Sequence, residues 1–398
     1  MRILLVSSYL PFPLDSGGHV RLYNIIKQLS RSHKITLICE KRPHQTEKDV
    51  QAVEKFCEEV ICVPRKKQWS LENIRKAGMS TYPFLMTGHT LPEMKQHIVT
   101  TLANKRFDLI HVETFYVYQN LPKTYLPVVL VEHNIEYKVY EKYAKTAAFV
   151  LRPLLFADIA KIKHWEEKIW HKVTKVVAVS EQEQNQMKGV NAALVPNGVD
   201  IEKFKLSKQN KAKERRVLFI GNFKWIQNQK AAQKILDDIW PKVLAGIKDE
   251  ELKKNLVLWI VGKHIPANIK AYQTKQILID ENAPDATEKI YQRSAVLLAP
   301  LEVGGGSSYK IIEAMASGVP VVTTELGVSG IGATSKKHAL VGKTNDELAD
   351  NVIQALQDTK TIDTMSNEAR TFVEATYNWQ VIAKSLENVY KEAVATSL

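Results

Sequence analysis

Residues 2–40 read "RILLVSSYLPFPLDSGGHVRLYNIIKQLSRSHKITLICE", and the succession of apolar periods inside them sets the fold. The run at 2–8 is apolar and rich in β-branched residues, which predicts a strand. A proline-rich turn follows, and then Leu22, Ile25, Ile26 and Leu29 recur at helical spacing. "HKITLICE" at 33–40 resumes as a strand. Strand, helix and strand in that order make a βαβ unit, which requires a parallel sheet with a right-handed crossover.

The same rhythm continues through "EVICVP", "FDLIHVE", "PVVLVEHN", "KVVAVS" and "AALVPNGV". Residues 201–215, "IEKFKLSKQNKAKER", interrupt it with a lysine-rich stretch lacking apolar periodicity, which predicts a linker. A second series follows: "RVLFIGN", a helix near 229–246, "NLVLWIVGK", "QILIDE", a helix near 285–293, "AVLLAPL", "GVPVVTTE" and "HALVGK". Apolar runs without strict alternation suit strands covered on both faces. The expected fold is therefore α/β, with two Rossmann-like doubly wound parallel-sheet domains at 1–200 and 216–376. The amphipathic end of the chain, 377–398, is expected to cross back to the first domain. Residues 136–172 predict one long helix kinked near Pro153. That helix reads either as a core-packing element with a solvated basic face or as a membrane-surface element.

Composition narrows the function classes. Of 398 residues, 45% are hydrophobic and 25% charged, as in a soluble globular protein. No apolar run reaches the roughly 18 residues of a membrane span, and "MRILLV" lacks the parts of a signal peptide, so a cytoplasmic protein is expected. Cys39, Cys57 and Cys62 have no metal-type spacing and read as reduced packing residues. The net charge of +12 is diffuse, with Arg65-Lys66-Lys67 its densest run. No basic stretch interleaves with aromatics as a nucleic-acid groove requires. An anionic membrane face or a lipid-linked acceptor accounts for the excess, as does a merely basic soluble protein.

Ligands of open parallel sheets collect beyond the carboxyl ends of the strands, and five such loops carry chemistry. Gly17 and Gly18 stand ahead of a helix, where free amides and the positive helix end receive an oxyanion. The spacing is not that of a dinucleotide fingerprint. His133 of "VEHN" suits a sugar hydroxyl or a proton transfer, and Glu113 of "HVETF" shares that strand-end position. "FIGNFKWIQNQKA" presents Gly221, Asn222, Lys224, Trp225 and Asn228, and "VGKH" presents Gly262 and Lys263. The fifth loop holds Gly304, Gly305 and Gly306, a backbone able to fold around an anion, then Ser307 and Ser308 to cap a helix. Lys310 and Glu313, three apart, share one face of that helix. Gly318-Val319-Pro320 ends it. A lysine by a helix start complements a diphosphate, and a carboxylate one turn on accepts two ribose hydroxyls.

"GGGSSYKIIEAMASGVPVVTT" at 304–324 resembles the donor-site motif of glycosyltransferase family 4, retaining enzymes of GT-B fold with two domains facing across a cleft. "SGGHVR", "EHN", "VAVSE", "VPNGVD", "GNFKW" and "YNW" extend the likeness in order along nearly the whole chain. The resemblance implies sugar transfer from a nucleoside diphosphate sugar to a glycan or glycolipid hydroxyl, with retention and without cofactor or obligatory metal. No Asp-x-Asp occurs in the sequence. By the same likeness Glu313 binds ribose, while Lys310 and the backbone of Gly306–Ser308 bind diphosphate. Gly17 and Gly18 lie near phosphate and acceptor, His133 contacts the donor sugar, and Ile279 and Asp280 line the nucleobase pocket. Two positions depart from the family pattern. Gly305 stands where a glutamate is common, eight before Glu313, and Asn222 where many members have arginine. They leave open a catalytically impaired binding or partner subunit, and a nucleotide-sugar epimerase is the third alternative.

Overall fold

The computed structural model describes residues 1–65, 67–206, 214–282, 286–302 and 307–397. The chain divides into two compact units, one of 1–196 with 382–398 and one of 197–381.

Among the described residues of the first unit, seven parallel strands form one sheet. They are β1 (Arg2–Ser7), β2 (Lys34–Lys41), β3 (Glu59–Pro64), β4 (Leu109–Glu113), β5 (Val128–Glu132), β6 (Lys175–Ala178) and β7 (Ala192–Leu194). Their order is β3-β2-β1-β4-β5-β6-β7, so the winding reverses between β1 and β4. The second unit has six: β8 (Arg215–Ile220), β9 (Leu256–Val261), β10 (Ile277–Asp280), β11 (Val296–Ala299), β12 (Val321–Thr323) and β13 (Leu340–Val341). Their order, β10-β9-β8-β11-β12-β13, reverses between β8 and β11. Such reversals open the crevice in which parallel sheets hold ligands. Every residue of β9 is buried, as expected of a strand with helices on both faces.

Register brings the loops together. Ser7 pairs with Glu113, and Glu113 with Val131, so the ends of β1, β4 and β5 finish side by side. The helix Gly17–Leu29 then starts beyond β1, capped by the Ser16 hydroxyl, which accepts the His19 amide. Gly17 and Gly18 are thus its first two residues, not a turn preceding it. Arg21, on the same helix, is fully buried, and its guanidinium donates to Pro196 and Val195 carbonyls at 2.6 and 2.8 Å. That joins "SGGHVR" to "VPNGVD". A Cβ at Gly198 would meet the Trp379 ring at 2.7 Å, so only glycine lets that indole close over the chain.

Three expectations are corrected. The units divide at Pro196/Asn197, ahead of 201–215, and Phe204 is buried in the second unit against Tyr291. Its apolar ring is the reason, since burying it fixes the start of the expected linker; residues 207–213 lie outside the described residues. The single helix at 136–172 is two, Glu136–Thr146 and Arg152–Trp170, separated by the tight turn Phe149–Leu151. Pro153 sits in the first turn of the second helix, where its missing N–H costs nothing, so it starts a helix rather than kinking one. Ser308 occupies the cap position of the helix Tyr309–Ala316, but its hydroxyl makes no capping bond. Its carbonyl takes the Ile311 and Ile312 amides instead. Gly318, at φ 70°, ends that helix in the left-handed conformation, with the Val319 amide returning to Ala314 at 2.9 Å. The last helix, Trp379–Thr396, belongs to the first unit from Ile382 onward.

Candidate functional site

In the first unit the ends of β1, β4 and β5 gather His133, Glu113, Tyr9 and Gly18. His133 Nε2 donates to Glu113 Oε1 at 2.5 Å, and His111 Nε2 to Glu113 Oε2 at 2.7 Å. The Tyr9 hydroxyl lies 3.2 Å from Glu113 Oε1, 3.3 Å from His133 Nε2 and 3.4 Å from the Gly18 carbonyl. On the far side Tyr390 of the last helix bonds His111 Nδ1 at 2.5 Å. A Cβ at Gly18 would stand 3.2 Å from the Tyr9 oxygen and 3.8 Å from His133 Cε1, so the glycine admits the histidine beside the helix start. Glu113 is buried, which disfavours its charge. The positive charge of His133 and the hydrogen bonds from His111 and His133 outweigh that cost and hold the carboxyl far below its ordinary range. Burial, and then the same carboxylate, drive the Tyr9 hydroxyl well up.

In the second unit the ends of β8 and β9 and the helix after β11 gather a different set. Lys310 Nζ donates to Asn228 Oδ1 at 3.0 Å and stands 4.8 Å from the centre of the Phe219 ring. Asn228 Nδ2 donates to the Asn222 carbonyl at 2.8 Å, so one amide links the loop after β8 to the lysine. Glu313 Oε2 accepts the Tyr291 hydroxyl at 2.9 Å. Two glycines make room. A Cβ on Gly221 would stand 2.8 Å from Asn228 Cγ, and one on Gly262, at φ 156°, only 1.8 Å from the Gly221 carbonyl oxygen. Asp280 belongs here through its carbonyl, which accepts the Gly262 amide at 3.1 Å. Ser307 is buried, and its hydroxyl has no partner among the described residues.

Two family comparisons cover most of the chain. Residues 16–203 match the family described as "Glycosyltransferase Family 4", and residues 214–358 match "Glycosyl transferases group 1". The chain belongs to the family 4-like glycosyltransferases. A Klebsiella pneumoniae protein, described as uncharacterized and in the cps region, is 23% identical over 98% of the transferase and 99% of its own length. The phosphatidyl-myo-inositol mannosyltransferase of Mycobacterium leprae is 25% identical over 59% of this chain and 62% of its own. Among solved structures, the sucrose-phosphate synthase of Thermosynechococcus elongatus superposes with a TM-score of 0.71 at 16% identity, covering all of both chains. Anabaena HepE, solved with UDP and glucose, gives 0.65 at 13%, covering 98% and 99%. The fold is GT-B.

The transferase treats its second cluster electrostatically unlike its first. Burial pushes the Lys310 ammonium down to about 8, against the attraction of Glu313. Burial also pushes the Glu313 carboxyl up to about 7, although the Tyr291 hydrogen bond and the charges of Lys203 and Lys310 act the other way. Both side chains keep part of their surface.

Other expected residues are less committed. Lys224 and Lys263 are exposed, and their loops are joined by the Phe223 amide donating to the Lys263 carbonyl at 3.0 Å. The Ile279 amide donates to Gln273 Oε1 at 2.8 Å. Glu302 forms an ion pair with Lys234. Gly304, Gly305 and Gly306 lie outside the described residues. Glu132, next to His133, faces the core instead, taking the Trp170 indole N–H at 3.2 Å. Among the described residues, no three or more His, Cys, Asp and Glu stand where they could hold a metal ion. No described helix is long and apolar enough to cross a membrane. Sequence reading missed His111, Tyr9, Tyr291 and Tyr390. His111 alternates with Glu113 along β4 and was within reach of a pattern; Tyr390 stands 279 positions from His111 and was not.

Proposed function

We propose that the chain moves a sugar from a nucleoside diphosphate sugar to a hydroxyl of a glycan or glycolipid, with the anomeric configuration retained and no obligatory metal, in the synthesis of a cell-envelope polysaccharide or glycolipid. The observation that carries this reading is the pairing of Lys310 with Asn228 and of Glu313 with Tyr291 on one short helix at the β8/β11 reversal. An ammonium held partly out of water there is suited to a diphosphate leaving group, whose charge it offsets as the glycosidic bond breaks. A carboxylate one turn further on is suited to ribose hydroxyls. Gly305, Gly306, Ser307 and Ser308 supply backbone amides to the phosphates in this reading, and Lys224 and Lys263 add cations at the neighbouring strand ends. Gly221 and Asn222 shape that loop, and Ile279 and Asp280 border the base. His133, oriented by Glu113, meets the donor sugar, with Gly17 and Gly18 near phosphate and acceptor.

The relatives support the donor class: HepE was crystallised with UDP and glucose, and a mannosyltransferase acting on phosphatidyl-myo-inositol is among the similar proteins. The cps-region relative supports an envelope polysaccharide. A thermal-shift screen of UDP-, GDP-, ADP- and dTDP-sugars tests the reading first, since a ligand of the native state raises its apparent stability. Transfer with the stabilising donor, in the presence of a chelator and with the product's anomeric configuration read by NMR, tests the rest. A shift with none of these donors would count against the proposal.

A further inference from the structure

A hydrogen-bonded line runs through the first unit from its last helix to His133. Glu113, as a carboxylate, can only accept, so His111 Nε2 carries a proton and donates it to Oε2 at 2.7 Å. A neutral imidazole with its proton on Nε2 has a lone pair on Nδ1. The Tyr390 hydroxyl, 2.5 Å away, donates to that lone pair and seats the ring. On the other carboxylate oxygen His133 Nε2 donates at 2.5 Å, and the Tyr9 hydroxyl adds a longer bond at 3.2 Å. Arg21, on the helix Gly17–Leu29, acts on Tyr390 through its charge, as His133 does on Glu183.

The line is closed at one end and open at the other. Tyr390 is fully buried, and the side chains of His111 and Glu113 are 1% and 2% exposed. That of His133 is 17% exposed. Its Nε2 edge is taken up by Glu113, so Nδ1 is the polar ring atom it can offer a ligand. What Nδ1 offers depends on the carboxyl behind the ring. Against a carboxylate, neutral His133 keeps its proton on Nε2, and Nδ1 accepts a hydrogen bond. Against a protonated carboxyl, which donates to Nε2, the ring proton moves to Nδ1, and Nδ1 donates instead. Burial favours the protonated carboxyl, and the charge of His133 and the N–H of His111 oppose it.

We propose that His111, seated by Tyr390, is a positioning residue: its N–H on Glu113 keeps neutral His133 protonated at Nε2, so that Nδ1 accepts a hydroxyl of the donor sugar. The identity of that ligand rests on the transfer reading, whereas the proton positions are measured without it. Nitrogen-15 NMR of the full chain, histidine-labelled and held at mildly alkaline pH, reads both ring nitrogens, with His133 assigned from His133→Gln. The parent is expected to show His133 protonated at Nε2 and bare at Nδ1. His111→Phe removes the N–H; it should bring a proton to Nδ1 and lower kcat by about tenfold or more, with KM within about twofold. His111→Gln, whose amide can donate to Glu113 from the same strand position, should restore both. Tyr390→Phe leaves the N–H but unseats the ring, so both changes should appear in smaller measure, with kcat down about threefold. Melting temperatures report folding; a merely structural role would lower them and leave Nδ1 bare. A parent His133 protonated at Nδ1 overturns the proposal. So does an Nδ1 that stays bare in both His111→Phe and Tyr390→Phe, or a proton that moves while transfer is unchanged. If no donor is turned over, the transfer reading fails, and the NMR comparison alone decides the positioning.

Discussion

The cluster around Glu113 and the cluster around Lys310 and Glu313 both stand at carboxyl ends of parallel strands where the winding reverses, and they handle charge in opposite ways. Glu113 is enclosed, yet each of its oxygens takes a histidine N–H, so its ionised form is the stable one. Lys310 and Glu313 are drawn toward neutrality by burial, each with one neutral hydrogen-bonding side chain for company. The first cluster is complete without a ligand. Among the described residues, the second gives its ammonium and its carboxyl one neutral side-chain partner each, an arrangement suited to a site that binds an ion or a polyol. The two clusters also differ in how mutation should affect them, which makes the contrast breakable.

The largest expected effect is on turnover. Lys310→Ala and Glu313→Ala should each lower kcat/KM for transfer by about a hundredfold or more, with circular dichroism and melting temperature showing a folded protein. Turnover within threefold or so of the parent by both variants would remove the second cluster from the chemistry.

Stability should then separate the clusters by sign. The Glu113 carboxyl is depressed from 4.5, so its contribution is present above that pH and is lost as pH falls below it. Glu113→Gln should therefore cost about 3 kcal/mol near neutrality, and the deficit should shrink in acid. The Glu313 carboxyl is raised from 4.5 to about 7, so its contribution is present below pH 4.5 and is lost as pH rises through about 7. Glu313→Gln, which still accepts from Tyr291, should raise stability by about 1 kcal/mol at mildly alkaline pH, and that gain should vanish in acid. Melting temperatures of both variants across pH check the two signs. Shifts in the same direction at all pH values would erase the distinction between a finished and an unfinished charge cluster.

Part of this contrast was legible in the sequence. The βαβ rhythm from residue 2 onward specified parallel sheets, because apolar runs covered on both faces leave a direct signature. Lys310, Glu313 and the Gly318 stop were readable because a helix face and a left-handed turn are local. The carboxylate–histidine pairing was not, since Glu113 and His133 meet only through the register of β4 against β5. Tyr291 and Tyr390 carry no local mark, and each is brought in by a helix distant in sequence from its partner. The expected linker failed for the opposite reason: lysines around Phe204 masked one aromatic ring whose burial fixes the start of the second unit.

The pH dependence of donor binding sharpens the comparison further. Lys310 loses its proton at about 8, well below its ordinary 10.5, so above that pH the ammonium that faces a diphosphate disappears. Donor affinity measured calorimetrically should weaken as pH rises beyond about 8, by up to about tenfold per unit. Lys310→Gln should bind weakly with a flat profile over the same range. A parent profile as flat as that of the variant would mean that Lys310 is not the cation felt by the donor.

The smallest effect concerns how that lysine is aimed. Asn228 reaches Lys310 only because Gly221 has no side chain, since a Cβ there would stand 2.8 Å from the Asn228 carbon. Gly221→Ala should displace the amide, breaking its bond to the Asn222 carbonyl as well. The expected cost is about 1 kcal/mol in donor affinity, roughly fivefold in Kd. Crowding alone would also lower stability, so Asn228→Ala serves as the companion change, removing the bond without adding an atom. Both variants should weaken donor binding to a similar degree, while only Gly221→Ala loses stability through overpacking. If Asn228→Ala binds donor as tightly as the parent, the lysine is aimed by the helix and the Phe219 ring alone, and the glycine serves packing between the β8 and β9 loops.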